Sequence, residues 1–263
     1  MYRQRLLAAA GLALLLSACS SDEEVVYMER PAEEIYAAAQ AELAEGNESQ
    51  AADLFDEVER QHPYSQWATR AQLMAAYAHY EDLEYDDAII ALDRFIQLHP
   101  GNEDIAYAYY LKALSYYERI SDVQRDQRMT EQAMGALREV VQRFPATEYA
   151  RDASLKIDLT LDQLAGKEMS IGRWYLGQGH YNAAINRFEN VVENYQTTTH
   201  VPEALHRLTE AYLSLGLVQE ARQTASVLGY NYPGSEWYLD SYAVLVDESV
   251  RPEDEGGLLD MIF

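Results

Sequence analysis

The residues able to do chemistry are few. Cys19 is the single cysteine, so no intrachain disulfide and no cysteine-built metal site can form. Six histidines are scattered, none beside carboxylates at a metal-ligand spacing. No glycine-rich phosphate loop and no nucleophile elbow occurs. Paired carboxylates abound, but 44 acidic residues against 20 basic ones put such pairs on solvated faces by default. A net charge of −24 also repels nucleic acid and anionic lipid headgroups. Two features remain: Cys19 itself, and a surplus of tyrosine, 21 Tyr against 5 Phe. A phenol has an apolar body and a hydrogen-bonding tip, which is the chemistry of recognition rather than of bond breaking. The expectation is a binding protein, not an enzyme, with no metal and no cofactor beyond a covalent lipid on Cys19.

The surroundings of Cys19 suggest that lipid. Arg3 and Arg5 precede an uninterrupted apolar run, Leu6 to Leu16. The run is too short to span a bilayer and fits the core of a secretory signal. Leu16-Ser17-Ala18-Cys19 then resembles a bacterial lipobox. The resemblance implies that residues 1–18 are a lipoprotein signal peptide and that Cys19 is lipidated on its sulfur and new amine. The alternative is an ordinary signal peptide followed by a chance cysteine. Ser20 stands where enteric lipoproteins kept in the inner membrane carry Asp, so it resembles an outer-membrane address. Residues 19–31 read as an acidic tether of at most about 40 Å.

The body repeats itself. Four segments end alike, at His62-Pro63, His99-Pro100, Phe144-Pro145 and Tyr232-Pro233. Twelve residues before each Pro is an alanine: Ala51, Ala88, Ala133 and Ala221. Eight before it come Phe55, Leu92, Leu137 and Ala225. A fifth copy has Ala184 and Phe188 but Gln196 in place of Pro. The pattern resembles the tetratricopeptide repeat, in which paired helices cross at a small residue and Pro ends the second helix. One pair cannot bury both of its faces, so pairs must stack. The expected fold is all-α, a solenoid of about five tetratricopeptide-like helix pairs with a C-terminal capping helix. The copies run roughly 32–63, 69–100, 106–145, 165–196 and 202–233. The third carries extra residues around Ser121 to Arg128, and the first helix of the fourth extends back to about Thr147. Residues 234–246 read as the cap, with Ser235 at its start and Trp237, Leu239, Tyr242 and Leu245 on its buried side. Residues 248–263 read as a flexible solvated tail; the alternative is that its apolar end, Leu258 to Phe263, occupies the tyrosine trough of the first helices until a client displaces it.

Lipobox, tether and five repeats together resemble the BamD family of outer-membrane assembly lipoproteins. Ala32-Glu33-Glu34-Ile35-Tyr36, Phe144-Pro145-Ala146-Thr147-Glu148-Tyr149 and Asn186-Arg187-Phe188-Glu189 carry the local likeness. The resemblance implies a lipid-anchored scaffold on the periplasmic face of the outer membrane. It would bind unfolded β-barrel precursors and the POTRA region of BamA, with other assembly lipoproteins as companions. Residues 32–145 would form the client groove and 146–247 the BamA-binding part. The rival is another exported repeat adaptor, serving cell division or peptidoglycan synthesis.

In this repeat class, positions 2, 5, 9 and 12 of the first helix line the concave face. Here they are Glu33, Tyr36, Gln40 and Leu43; Arg70, Leu73, Tyr77 and Tyr80; then Tyr107, Tyr110, Leu114 and Tyr117. Tyr36, Leu73, Tyr77, Tyr80, Tyr107, Tyr110 and Tyr117 are the expected client-binding residues, packing between repeats being the alternative. Arg187 is expected to pair with a BamA carboxylate, against the plainer reading of a solvated arginine. Arg119, Arg125 and Arg128 make the third-repeat loop either a flexible solvated loop or a basic docking point.

Labelling with a radioactive fatty acid checks the anchor. The wild-type chain should take up label and the Cys19→Ser variant should not; equal labelling of both removes the lipobox.

Overall fold

The computed structural model describes residues 30–249. The signal peptide, Cys19, nearly all of the tether and the apolar tail end lie outside the described residues. Within them the chain is eleven helices joined by turns, without a strand. The first pair is α1 (Ala32–Glu45) and α2 (Glu48–Gln61), the second α3 (Gln66–Glu81) and α4 (Tyr85–Leu98). The third is α5 (Ile105–Tyr117) and α6 (Arg128–Arg143), the fourth α7 (Glu148–Gly177) and α8 (Tyr181–Asn194). The fifth is α9 (Val201–Ser214) and α10 (Val218–Asn231), and α11 (Glu236–Ser249) closes the described chain. The last helix therefore runs two residues into the expected tail.

The five alanines sit where helix axes cross. Ala51, Ala88, Ala133, Ala184 and Ala221 have no exposed surface. One turn on, Phe55, Leu92, Leu137 and Phe188 are equally buried, and Ala225 nearly so. A methyl at the crossing lets the backbones approach, and the bulky residue beyond it fills the space between pairs.

Two kinds of turn repeat. Within a pair, the chain reverses through a left-handed residue at Gly46, Gly179 and Gly216, and at Leu83, the one non-glycine among them (φ 62°). Each lies five residues before the crossing alanine. At each, the next amide bonds back to a carbonyl of the helix just ended, as Glu84 does to His79 (2.9 Å). Between pairs, the residue before Pro is an aromatic or histidine near φ −130° with ψ about 50°, outside the α region that a following Pro disfavours. Tyr195 adopts the same geometry although Gln196 follows. The backbone amides of His62 and His99 close their own helices, but their rings bond elsewhere. The His62 Nε2 donates to the Arg30 carbonyl (2.6 Å) and the His99 Nε2 to the Gln72 side chain (2.7 Å).

The first helices touch one another in series, α1 to α3, α3 to α5, α5 to α7 and α7 to α9. Each second helix instead packs between the two first helices that flank it. The tighter row lies inside the bend of the stack, so the first helices line its concave side.

Helix α7 serves two repeats. Thr147 caps it by accepting from the Ala150 amide (3.2 Å). Its first half packs against the third pair, its second half against α8 and α9. The segment between α5 and α6 lies against it and is not a free loop. Gln163 donates to the Ser121 carbonyl (2.8 Å) and Lys167 to that of Gln124 (3.0 Å). Gln127 gathers the carbonyls of Asp122, Val123 and Arg125 from inside. Arg119 pairs with Asp86 of α4, while Arg125 and Arg128 stay exposed.

The cap differs from expectation in its buried face. Ser235 accepts from the Trp237 amide (3.2 Å) as expected, and Leu245 is buried. Leu239 and Tyr242 are exposed, and Tyr238 and Ser241 take their place against the stack. The ends of the expected face, Trp237 and Leu245, do pack, but between them the packed side passes through Ser241, a polar residue in sequence that meets the buried His206 ring (2.8 Å). Burial holds that imidazole below its ordinary pKa, so it stays neutral beside the hydroxyl.

Gly172 shows how tightly α7 and α8 are joined. A Cβ there would fall 2.4 Å from the Phe188 ring. Gly172→Ala gains about 1 kcal/mol of helix propensity. Overpacking costs about 1–3 kcal/mol, more where the obstacle is a fully buried ring. The expected result is a lower denaturation midpoint, read by circular dichroism; an unchanged or raised midpoint would show that Phe188 repacks freely.

Candidate functional site: a tyrosine-lined face on the first helices

The concave row sorts the expected groove residues into two groups. Tyr36 and Leu73 are each only 8% exposed. Tyr36 sits edge-on to Phe55 (5.3 Å between centroids) and against Trp67 (4.9 Å), filling the joint between the first two pairs. Leu73 packs with Leu92, Phe95 and Leu111. Both are core residues, and the expectation that they face a client is corrected: the fifth position of the first two pairs is packed into the joint with the following pair.

Tyr77, Tyr80, Tyr107, Tyr110 and Tyr117 are half-buried and run across α3 and α5. Tyr80 stands edge-on to Tyr85 of α4 (5.6 Å). Helix α7 continues the row with residues that the repeat template did not point to. Tyr149 stacks on Tyr110 (5.3 Å, 29° between planes) and leans on Tyr107 (5.6 Å). The Tyr110 hydroxyl donates to Asp152. Lys156 pairs with Asp152 (2.8 Å) and sits over the Tyr117 ring (5.6 Å). Further along, Leu155 and Leu159 are 66% and 61% exposed. Leu159 joins Tyr117 and Ile120 around an open hollow of about 480 Å³. Their signal in the sequence was the backward extension of this helix, with Tyr149 just past its cap and the two leucines four apart.

The electrostatics keep this face neutral in its phenols and acidic at its edge. Burial raises the Tyr77, Tyr80, Tyr107 and Tyr110 phenols, with the carboxylates of Glu81, Glu118 and Asp152 adding to it; Tyr80 is pushed up to about 12. Every hydroxyl therefore keeps its proton at neutral pH and can both donate and accept. Hydrogen bonds from Lys156 and Tyr110 hold the Asp152 carboxyl below its ordinary range. Such a strip can take apolar and aromatic side chains between rings while the hydroxyls bond an extended backbone.

Arg187 lies elsewhere, on α8, and is not a free solvated arginine. It pairs with Glu168 of α7 (3.1 Å) and remains 41% exposed. It borders a second hollow of about 480 Å³, with Asn186, Glu189, Asn190 and Tyr175 around it. Glu189 in turn accepts from the Tyr212 hydroxyl (2.8 Å). A partner carboxylate arriving here would share the guanidinium with Glu168. Among the described residues no group of His, Asp or Glu is placed to hold a metal ion, and no helix is long and apolar enough to cross a membrane.

The family model for YfiO, the outer membrane lipoprotein, matches residues 28–228. The chain is 54% identical over 252 residues to the outer membrane protein assembly factor BamD of Caulobacter vibrioides, covering 95% of this chain and 83% of that one. This chain belongs to the BamD family. The BamD of Rickettsia prowazekii is 47% identical, covering 89% of this chain and 93% of its own length. The BamD of Neisseria meningitidis serogroup A is 37% identical, covering 88% and 92%. Among solved structures, the TPR2AB-domain:pHSP90 complex of yeast Sti1 is 12% identical with a TM-score of 0.44, covering 83% of each chain. The family match spans all five pairs up to α10. It therefore takes in both the tyrosine-lined face and the Arg187 hollow.

Proposed function

We propose that this chain is a lipid-anchored scaffold of the outer-membrane protein assembly machinery, held on the periplasmic face through Cys19. Membership of the BamD family supports the machinery, and the continuous tyrosine-lined face over α3, α5 and α7 carries the rest of the reading. An unfolded β-barrel precursor is an extended chain rich in alternating aromatic side chains. It offers the rings something to cover and the phenols a backbone to bond. Residues 32–145 form the client groove, with Tyr77, Tyr80, Tyr107, Tyr110 and Tyr117 as its contacts and α7 lending Tyr149 and Leu159. Residues 146–247 bind the POTRA region of BamA, with Arg187 facing a carboxylate there, and other assembly lipoproteins join the same complex. The work is binding and handover, with no bond broken and no resident cofactor. Two half-buried phenols at a binding face contribute about 1 kcal/mol or more apiece when truncated, roughly a fivefold change in affinity each.

Two measurements test this reading. A photocrosslinker at position 77 or 110 should capture barrel precursors in the cell, whereas the same group at buried position 36 should not. Capture from none of the three removes the face from client binding, and co-purification of peptidoglycan synthases in place of BamA moves the protein to another envelope machine. For Arg187, charge reversal to Glu should abolish BamA pull-down while Arg187→Lys keeps part of it. Glu168→Gln removes the internal competitor and should leave pull-down equal or stronger. Loss of pull-down with Glu168→Gln as well would mean that the pair acts by holding α7 to α8.

A further inference from the structure

The stack ends in an apolar face where a polar one is expected. Terminal repeats of a solenoid have no neighbour to cover their outer side and normally present polar residues there. Here α10 and α11 enclose a groove of about 380 Å³ lined by Arg222, Gly229, Tyr230, Tyr238, Tyr242 and Leu245. Tyr230 is 88% exposed, and Leu239 (67%) and Val227 (41%) extend the apolar surface around it. Gly229 builds the groove: a Cβ at that position would fall 2.6 Å from the Tyr238 ring, so only glycine lets Tyr238 lie against α10.

Arg222 gives the groove a charge to satisfy. Its Nε is buried and has no hydrogen-bond partner, and the guanidinium forms no ion pair among the described residues. Arg94, Arg119, Arg143, Arg173, Arg187 and Arg207 are paired with carboxylates, whereas Arg222 borders its groove without one among the described residues.

The sequence that continues from α11 has the complementary composition. Gly256-Gly257 is followed by Leu258-Leu259-Asp260-Met261-Ile262-Phe263, five apolar residues around one carboxylate. Eight residues lie between Ser249 and Leu258, a reach of about 30 Å over nine Cα steps. Leu245, which lines the groove, lies about one helical turn before Ser249. The tail therefore reaches the groove with chain to spare, and the paired glycines allow it to double back. We propose that residues 258–263 seat in the α10–α11 groove, with Asp260 paired to Arg222, and so close the end of the solenoid. The tyrosine-lined face on α3 to α7 is then left to clients, and this inference stands or falls independently of it.

A labelled synthetic peptide of residues 251–263 tests the proposal against the full chain and a chain ending at residue 250. Tethering gives the tail a local concentration near 1 mM. A peptide that binds the shortened chain with a Kd of about 0.1 mM should therefore bind the full chain roughly tenfold more weakly, because the groove is filled. A peptide carrying Asp260→Lys should lose at least fivefold in affinity for the shortened chain, with no change made to the folded protein. Arg222→Glu should recover that loss for the altered peptide. No binding to the shortened chain, or equal binding to both chains, overturns the proposal. Full affinity of the Asp260→Lys peptide overturns the ion pair.

Discussion

Helix pairs in this protein are held together by contact distance at one point. Each second helix crosses its partner at an alanine with no exposed surface, and at that crossing anything larger than a methyl would push the axes apart. Once the axes are close, the rest of the repeat follows. The left-handed turn has to sit five residues earlier, the bulky residue has to fill the next gap, and the chain has to leave the helical conformation to begin another pair. The last requirement is met at Tyr195 even without Pro. The non-helical cap is therefore demanded by the packing, and Pro only reinforces it.

Stacking by this rule brings the first helices side by side and leaves the second helices apart. The residues on the inner row are thus partly covered by their neighbours and partly open. Tyrosine suits that position because its ring can be packed at the base and its hydroxyl left at the surface. Where the packing is tighter the same residue type becomes core, as Tyr36 does between Phe55 and Trp67. One residue type thus serves as core and as binding face, separated only by how far the next pair has moved over it.

The acidic charge shapes what the molecule can recognise. Several of its basic residues bridge one helix to another, as Arg173 does to Glu203, Arg187 to Glu168 and Arg94 to Glu59, and others pair within a helix, as Lys156 does with Asp152. Surface pairs of this kind contribute little each, but they occupy the basic side chains. Affinity for a partner has to come from covering aromatic surface and satisfying hydroxyls, with charge used sparingly. In the C-terminal half Arg187 and Arg222 each border a hollow, as do Arg173 and Arg207.

The all-α class, five pairs, the crossing alanines, the long fourth first helix and the family were legible in the sequence, since each is a matter of spacing along one chain. The period of a helix and the position of a Pro are local properties, and they survive translation into structure to within a residue or two. Which tyrosines open to solvent was not legible. Tyr36 and Tyr110 hold the same place in their repeats, and only the packing of the next pair buries one and leaves the other half-open. Nor did the chain order reveal that Lys156 and Asp152 complete the face of α5, that the third-pair segment lies along α7, or that Glu168 already holds Arg187. Gly172 and Gly229 look like weak helix residues until Phe188 and Tyr238 are seen resting on them. Those contacts join residues far apart in sequence, and they exist because two surfaces meet at a distance that only the assembled stack defines.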